Sequence, residues 1–264
     1  MKKFFFLNFG ISDLSVIPLR AEPSDKSEMV SQILFGETFE ILEKKNQWLR
    51  IRTHADEYEG WIDEKQIKLI NTADFKQTQE PPFACLLDLT ATALSKRGSV
   101  LLLIGSSLPF FENQKFKLGE EEFETEGDVV KTGTSDLSNR IPWNALKFAG
   151  TPYLWGGRSL FGMDCSGFTN VVFKLSGIKL RRDAWQQSEQ GMLVSFIDHS
   201  RAGDIAFFHN EEGKITHTGI ILEGKKIIHA SGRVRVDTID HYGIYNEEQK
   251  RYTHQLRLVK RMIS

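Results

Sequence analysis

The first part of the chain alternates short apolar runs with turn residues. Over about residues 14–70 the runs are LSVIPLR, MVSQILFGETFEILEKKNQWLRIR and YEGWIDEKQIKLI. They are rich in β-branched and aromatic residues and are separated by turn-forming clusters. Short strands with frequent turns are typical of a small all-β barrel. The pattern therefore predicts one such barrel over residues 1–70.

A second set of predicted strands follows a polar segment. Residues 71–82, NTADFKQTQEPP, are polar and end in two prolines, which indicates a linker. Beyond them, FACLLDLTATAL, GSVLLLIGSSLPFF and EEFETEGDVV have the length and turn spacing of the first region. They predict a second small barrel over residues 71–135.

The pattern becomes helical after KTGTSDLSNR. In CSGFTNVVFKLSGI, Phe168, Val171, Val172 and Leu175 have the i, i+3, i+4, i+7 spacing of one helix face, and Gly177 marks its end. IPWNALKFAGTPY is also helical in pattern. The segments RAGDIAFFH, ITHTGIILEGKKIIHASGRV and YTHQLRLVKRM then predict strands joined by glycine turns. Helices followed by strands predict an α+β domain over residues 136–264.

Composition limits the functions that these domains can have. Lys and Arg number 34 against 35 Asp and Glu, a formal net charge of −1, so no overall field attracts nucleic acid or an anionic membrane. No segment approaches the roughly 18 apolar residues of a membrane span. The start, MKKFFFLNFG, is a secretory signal or a first β-strand, and the interruptions at Asn8 and Gly10 favour the strand. With 2 cysteines, the chain fits a reducing compartment, and we expect a cytoplasmic protein.

The two cysteines have different settings. Cys85 lies inside the apolar run FACLLDL, where a cysteine acts as a small buried hydrophobe. Cys165, in GMDCSGF, lies at the first turn of a predicted helix, where unpaired backbone N–H groups and the helix dipole favour an anion. Because the thiolate is the nucleophilic form, this position predicts a thiol of lowered pKa. Cys165 is therefore the candidate nucleophile.

Two downstream histidines can supply the base and its orienting partner. His217 lies in the predicted strand ITHTGIIL, and His229 follows 12 residues later in IIHAS. A hairpin of that length returns the second histidine beside the first. If the helix packs on this sheet, the thiol lies over His217, and His229 holds the imidazole by its other nitrogen. A nucleophile, a base and an orienting residue are the constellation of acyl-transfer catalysis.

Other chemistries fit the sequence less well. A metal site needs several ligands at short spacing, and the chain has no CxxC or HExxH motif. The glycine-rich GGRSLFG lacks the GK[ST] ending of a phosphate-binding loop. Its glycines allow the backbone to approach a substrate closely, or they simply form turns. We therefore expect no metal and no cofactor.

Together, GTPYLWGGRSLFGMDCSGF, RAGDIAFFH, ITHTGIIL and IIHAS resemble the NlpC-type cell-wall cysteine peptidases over residues 136–264. VIPLRAEPSDKSEMVSQILFGETFEILEKKNQWLRIR with YEGWI resembles a bacterial Src-homology-3 domain, and LLLIGSSLPFF resembles the second such domain of members that carry two. The whole chain is similar to γ-D-glutamyl-L-diamino-acid endopeptidases, also called dipeptidyl-peptidase VI. The resemblance implies an α+β, papain-like cysteine peptidase core preceded by two small all-β barrels.

The resemblance also implies roles for individual residues. Cys165 becomes the nucleophile, His217 the base and His229 the orienting third residue, while the hydroxyl of Tyr153 lies near the oxyanion. The further residues that it places at the substrate are Asp164, Ser166, Asp183 and Trp155. Ala184 stands where relatives often have serine, so the hydrogen bond of that serine to substrate is not expected here.

In such enzymes the first barrel recognises the free amine of the substrate's L-Ala. Asp56, Glu57 and Tyr58 in HADEYEGW are the candidates here, although charged turn residues are often simply solvated. We expect a monomer that cleaves the bond between γ-D-Glu and lysine or diaminopimelate in murein peptides, in peptidoglycan recycling or remodelling. An acyltransferase or amidase using the same thiol–imidazole pair, and a non-catalytic peptidoglycan-binding protein, remain alternatives.

Overall fold

The computed structural model describes residues 8–132 and 138–262. It divides into two compact units, residues 1–135 and 136–264, and each is described by itself. Residues 1–7 of the predicted N-terminal strand and the predicted boundary at residue 135 lie outside the described residues.

The N-terminal unit begins with an antiparallel sheet. Its strands are β1 (Phe9–Ile11), β2 (Val16–Arg20), β3 (Met29–Leu34), β4 (Thr38–Lys45), β5 (Trp48–Thr53), β6 (Glu59–Asp63) and β7 (Lys68–Ile70). They pair in the order β3-β2-β6-β5-β4-β1-β7. Because alternate residues of a strand face the same side, Ile17 and Leu19 enter one core with Ile51 and Ile62. Strands β2 to β7 lie in the segments whose apolar runs predicted strands.

The second half of this unit contains a helix where the sequence predicted a linker. Helix α1 (Thr72–Gln77) begins after Asn71, whose side chain accepts a hydrogen bond from the Asp74 N–H at 2.8 Å. An N-cap of this kind satisfies an unpaired N–H of the first turn, so part of the predicted linker is helical. The strands that follow are β8 (Phe83–Leu86), β9 (Thr90–Ser95), β10 (Gly98–Leu103), β11 (Lys115–Leu118), β12 (Glu121–Glu124) and β13 (Val129–Thr132).

These later strands form a four-stranded sheet, β10-β9-β12-β11, and a pair, β13-β8. Their core also takes in residues from the first segment, because Ile11, Phe35 and Ile70 pack with Leu102 and Phe116. The Ser107 N–H donates to the Phe35 carbonyl oxygen at 2.8 Å. The two segments thus share an apolar core, and their division at residue 70 into two barrels stays a prediction.

The C-terminal unit is mostly sheet with few helices. These are α2 (Ile141–Leu146), α3 (Cys165–Lys174) and α4 (Ala184–Ser188). Short 3₁₀ helices lie at Ser138–Arg140 and Ile197–His199 in this unit and at Glu64–Gln66 in the N-terminal unit. The helical spacing is confirmed, since Phe168, Val171, Val172 and Leu175 are buried. Gly177 follows with φ +77°, the left-handed conformation that favours glycine after a helix.

Most of the strands of this unit belong to one sheet that closes into a barrel. They are β14 (Arg158–Ser159), β15 (Gly162–Met163), β16 (Met192–Val194), β17 (Ile205–His209), β18 (Ile215–Leu222), β19 (Lys226–Ser231), β20 (Arg233–Ile239), β21 (Gly243–Asn246) and β22 (Arg251–Arg261). Strands β14 and β15 form a hairpin, and the others pair in the order β16-β22-β17-β18-β19-β20-β21. Since β22 also pairs with β21, strands β17 to β22 form a closed barrel.

The interior of this barrel changes from apolar to polar along its axis. Ala206, Phe208, Ile221, Ile227, Ile239, Ile244 and Val259 form its apolar core. By the two-residue alternation of a strand, His217 faces the same side as Ile221, His229 the same side as Ile227, and Asp237 the same side as Ile239. The polar end of the barrel therefore carries the predicted base. Among the residues that the structure describes, no helix is long and apolar enough to cross a membrane.

Candidate active site

The candidate nucleophile begins helix α3 at a tightly packed turn. Asp164 is the N-cap of this helix, and its Oδ1 accepts from the Gly167 N–H at 2.7 Å. A Cβ at Gly167 would lie 2.1 Å from the carbonyl oxygen of Gly157. Gly167 therefore lets the start of the helix pack directly on the backbone of Gly157.

A buried arginine anchors this turn. Arg182 is 1% exposed, and its Nη2 donates to Asp164 Oδ2 at 2.6 Å. Its Nη1 donates to the Ser166 hydroxyl oxygen at 3.0 Å. Asp164 and Ser166, predicted to contact substrate, thus lie buried on either side of the nucleophile and bind Arg182. The sequence reasoning missed Arg182, because nothing in the RRD triplet separates it from its partly exposed neighbour Arg181.

The thiol of Cys165 lies against strand β18. Its Sγ is 4.0 Å from the Thr216 carbonyl oxygen, next to the predicted base in sequence. Burial raises the pKa of the Cys165 thiol to about 12, and the Asp164 carboxylate adds to the rise. Backbone N–H groups of Thr218 and Ser166 and the charge of Arg182 act in the opposite direction. The expected lowering of this pKa is thus wrong, since desolvation of the thiolate outweighs the effect of the helix terminus.

The two predicted histidines meet inside the barrel. His217 Nε2 and His229 Nδ1 are 2.8 Å apart, which confirms that the hairpin returns His229 beside His217. On its other side, His229 Nε2 is 2.9 Å from Asp237 Oδ2. Asp237 was missed, although the alternation in RVRVDTI places it on the interior face. Within residues 8–132 and 138–262, no hydrogen bond joins the Cys165 Sγ to His217.

Both histidines are neutral at neutral pH. Burial lowers the pKa of His217 well below its usual value, and the proximity of His229 and His254 adds to this shift. Burial also lowers the pKa of His229, although Asp237 opposes the shift. A neutral imidazole keeps a lone pair, so His217 has the protonation state that a general base requires.

A third histidine packs on this pair. The rings of His254 and His217 are stacked, with centroids 4.1 Å apart and an interplanar angle of 24°. Burial lowers the pKa of His254 to about 4, with His229 adding to the shift. One ring nitrogen from each of the three histidines lies within 4.8 Å of the other two, close enough to hold a metal ion. A metal that took His217 Nε2 or His229 Nδ1 as a ligand would break the contact between these two histidines.

Two aromatic candidates lie in the segment before the nucleophile. The Tyr153 N–H donates to the Gly232 carbonyl oxygen at 3.0 Å, which fixes this segment against the end of β19. Burial raises the pKa of Tyr153 to about 12, and the nearby Cys165 and Asp164 reinforce the rise. Its hydroxyl is therefore protonated and able to donate. Trp155 is exposed, and its contact with substrate stays a prediction.

Asp183 lies where helix α4 begins. As the N-cap of that helix, it donates its backbone N–H to Gln186 Oε1 at 3.0 Å. Ala184, the first residue of the helix, is buried. The substrate contact of Asp183 stays a prediction.

The candidates for amine recognition lie in the N-terminal unit, between β5 and β6. Asp56 is buried, and its carboxylate accepts a hydrogen bond from Thr53 Oγ1. Glu57 is exposed with φ +56°, a left-handed conformation that is uncommon for a residue with a side chain. Tyr58 packs on the core of the first sheet. Their part in substrate binding stays a prediction.

Each of the two units contains a segment that matches a known protein family. Residues 150–257 match the NlpC/P60 family, and residues 19–67 match the bacterial dipeptidyl-peptidase Sh3 domain. The chain is 32% identical over 216 residues to the γ-D-glutamyl-L-lysine dipeptidyl-peptidase of Bacillus subtilis (strain 168), covering 76% of this chain and 71% of that protein. It is 28% identical over 263 residues to dipeptidyl-peptidase 6 of Lysinibacillus sphaericus, covering 84% and 88%.

A solved structure shows the same fold. The crystal structure of an NlpC/P60 family protein from Bacillus cereus ATCC 10987 matches with a TM-score of 0.80 and 21% identity, over 97% of this chain and 100% of that one. Its identity is low, so the match supports the fold alone. The named peptidases among the relatives, together with the thiol and histidine pair, make this protein a cysteine peptidase. By its shared identity with them over most of both chains, it belongs to the NlpC/P60 family.

Proposed function

We propose that this peptidase hydrolyses the amide bond between γ-D-Glu and an L-diamino acid in murein peptides that carry a free N-terminal L-Ala. The observation that carries the proposal is the 2.8 Å contact between His217 and His229, on the strand against which the Cys165 thiol lies. Two of its relatives are named for γ-D-glutamyl-L-lysine or dipeptidyl peptidase activity, and this supports the substrate class.

The reaction begins from a neutral thiol and a neutral imidazole. Since burial keeps both uncharged, the Cys165 proton passes to His217 as Sγ attacks the γ-carbonyl carbon and the C–S bond forms. The backbone N–H of Cys165 and the Tyr153 hydroxyl donate to the tetrahedral oxyanion. When the intermediate collapses, the C–N bond breaks and the His217 imidazolium protonates the leaving amine.

Hydrolysis of the thioester completes the cycle. His217 removes a proton from water, the resulting hydroxide adds to the carbonyl carbon, and the C–S bond breaks. L-Ala-D-Glu leaves, and the proton returns to the sulfur. No metal or cofactor takes part in these steps. His229 orients His217 throughout.

We assign candidate roles in substrate selection to residues of each unit separately. Glu57 supplies the carboxylate for the free amine of L-Ala, with Asp56 and Tyr58 as neighbours in the same turn. Asp164, Ser166, Asp183 and Trp155 lie in the catalytic unit, which we infer to be papain-like and α+β, preceded by two small barrels. The setting that we propose is recycling of peptidoglycan fragments by a cytoplasmic monomer.

The test compares L-Ala-γ-D-Glu-L-Lys, its diaminopimelate analogue and their N-acetylated forms, with products identified by mass spectrometry. The proposal predicts L-Ala-D-Glu and the free diamino acid from the free peptides and much slower cleavage of the acetylated ones. In Glu57→Gln this preference for the free amine should shrink, whereas Glu40→Gln, on the same sheet, should keep it. Transfer of the acyl group to an added amine, without net hydrolysis, would favour an acyltransferase instead.

A further inference from the structure

We propose that Asp237 is a positioning residue that extends the catalytic pair into a relay and fixes which nitrogen of His217 carries a proton; the inference rests on the proposed function. Asp237 comes from β20, next to the strand of His229 in the barrel. It is 4% exposed, so little of its carboxylate surface is open to water. None of the sequence motifs pointed to this residue.

The carboxylate is held in one orientation by two partners. Its Oδ2 accepts from His229 Nε2 at 2.9 Å and from Arg235 Nε at 2.7 Å. Its Oδ1 accepts from Arg235 Nη2 at 2.9 Å. An arginine fork that binds both oxygens of a carboxylate fixes its plane as well as its position. Arg235 therefore clamps Asp237 against His229.

This clamp determines where the protons lie. Although burial opposes ionisation, hydrogen bonds from His229 and Arg235 lower the pKa of Asp237 to about 2, so its carboxylate accepts and does not donate. His229 must then carry its proton on Nε2, which leaves Nδ1 as an acceptor. The contact at 2.8 Å then requires the proton of His217 to lie on Nε2. The lone pair of His217 is thereby left on Nδ1. We assign this nitrogen as the acceptor of the Cys165 proton.

The far end of the relay is open to small solutes. A cavity of about 410 Å³ at the polar end of the barrel is lined by His229, Arg233, Arg235, Asp237, Asn246 and Gln249, among others. Removing the Asp237 side chain would leave a carboxylate-sized space beside this cavity, with the Arg235 guanidinium at its edge. Formate can enter that space and accept from both Arg235 and His229. Chemical rescue by formate therefore separates a role in proton placement from a role in folding.

The test measures turnover of L-Ala-γ-D-Glu-L-Lys by Asp237→Ala with formate or chloride at equal ionic strength. A positioned general base contributes about 10²–10⁴-fold, so we expect kcat to fall at least about 10²-fold with little change in KM. Formate should restore a large part of the loss, and chloride should not. Asp240→Ala, which removes a carboxylate bonded to Tyr252, is the matched control and should keep its activity without responding to formate.

Two further measurements keep the outcome decisive. Asp237→Asn retains the shape of the side chain, so it should lose kcat while remaining folded and, having no space for formate, should not be rescued. Alkylation of Cys165 by iodoacetamide, located by mass spectrometry, needs no substrate; it should slow in Asp237→Ala and recover with formate. If the wild-type protein is alkylated at Cys165 but does not cleave the peptide, the proposed function is rejected and the role of Asp237 is still tested by alkylation. Near-normal kcat in both variants, or an unrescued loss in folded Asp237→Ala, would overturn the role of Asp237.

Discussion

The buried pair of Arg182 and Asp164 gives the stability prediction that the structure makes most sharply. Arg182→Met keeps a long apolar stem but removes the guanidinium that donates to both oxygens of Asp164 at 2.6 and 3.1 Å. Both residues are buried, at 1% and 6% exposed. The substitution leaves a carboxylate without its counter-ion next to the nucleophile.

The magnitude follows from burial. Removing one partner of a buried ion pair costs about 3–5 kcal/mol, because the remaining charge stays desolvated. Asp164 retains its hydrogen bonds from the N–H groups of Gly156 and Gly167, which favours the lower half of that range. A loss of about 3–4 kcal/mol corresponds to roughly a 10–15 °C decrease in Tm for a unit of this size.

The assay is urea unfolding followed by tryptophan fluorescence, with Arg181→Met as the matched control. Arg181 is the adjacent arginine but is only half-buried, so its loss should cost about 1 kcal/mol or less. Adding Asp164→Asn to Arg182→Met removes the stranded charge, so the double variant should be more stable than the sum of the single effects by at least about 1 kcal/mol. The inferred energetic role of the pair is wrong if two results are found together. The free energies of unfolding of Arg182→Met and Arg181→Met would differ by less than about 1 kcal/mol, and the effects of Arg182→Met and Asp164→Asn would add in the double variant.

The remaining predictions concern the thiol and the histidine cluster. Since burial raises the pKa of the Cys165 thiol to about 12, the thiolate fraction grows with pH below that value. The rate of iodoacetamide alkylation should therefore increase steadily from neutral to alkaline pH. A plateau of the rate near neutral pH would contradict the raised pKa. His254→Phe should keep most of kcat because an aromatic ring still stacks on His217, whereas His254→Ala should lose more; equal activities would show that stacking does not matter. Turnover should survive EDTA, while added Zn²⁺ should inhibit by breaking the pair of His217 and His229; loss of activity on chelation would instead require a metal.

Local patterns predicted the parts of the site that depend on short stretches of chain. The pairing of His217 with His229 was predictable because both lie on one hairpin, where strand spacing sets the distance. The position of Cys165 at a helix start was predictable from the periodicity of Phe168 and Val172. In both cases the interacting residues lie within a single helix or a single hairpin.

The parts that were missed depend on contacts between separate segments. Arg182 reaches Asp164 across 18 residues, and His254 reaches His217 only because the barrel closes through its last strand. The thiol pKa was predicted in the wrong direction because the helix terminus is local, whereas the burial of Cys165 comes from tertiary packing. The helix Thr72–Gln77 was missed because polar composition and two following prolines are the pattern of a linker.

The proposed chemistry is tested by one comparison of cysteine variants. Purified wild-type, Cys165→Ala and Cys85→Ala proteins are incubated with L-Ala-γ-D-Glu-L-Lys, and the release of L-Ala-D-Glu is followed by mass spectrometry. Cys85 is buried in the N-terminal unit, so its variant controls for loss of a buried sulfur. We predict release by wild type and Cys85→Ala and none by folded Cys165→Ala. Release by Cys165→Ala at the wild-type rate would show that the sulfur of Cys165 is not the nucleophile.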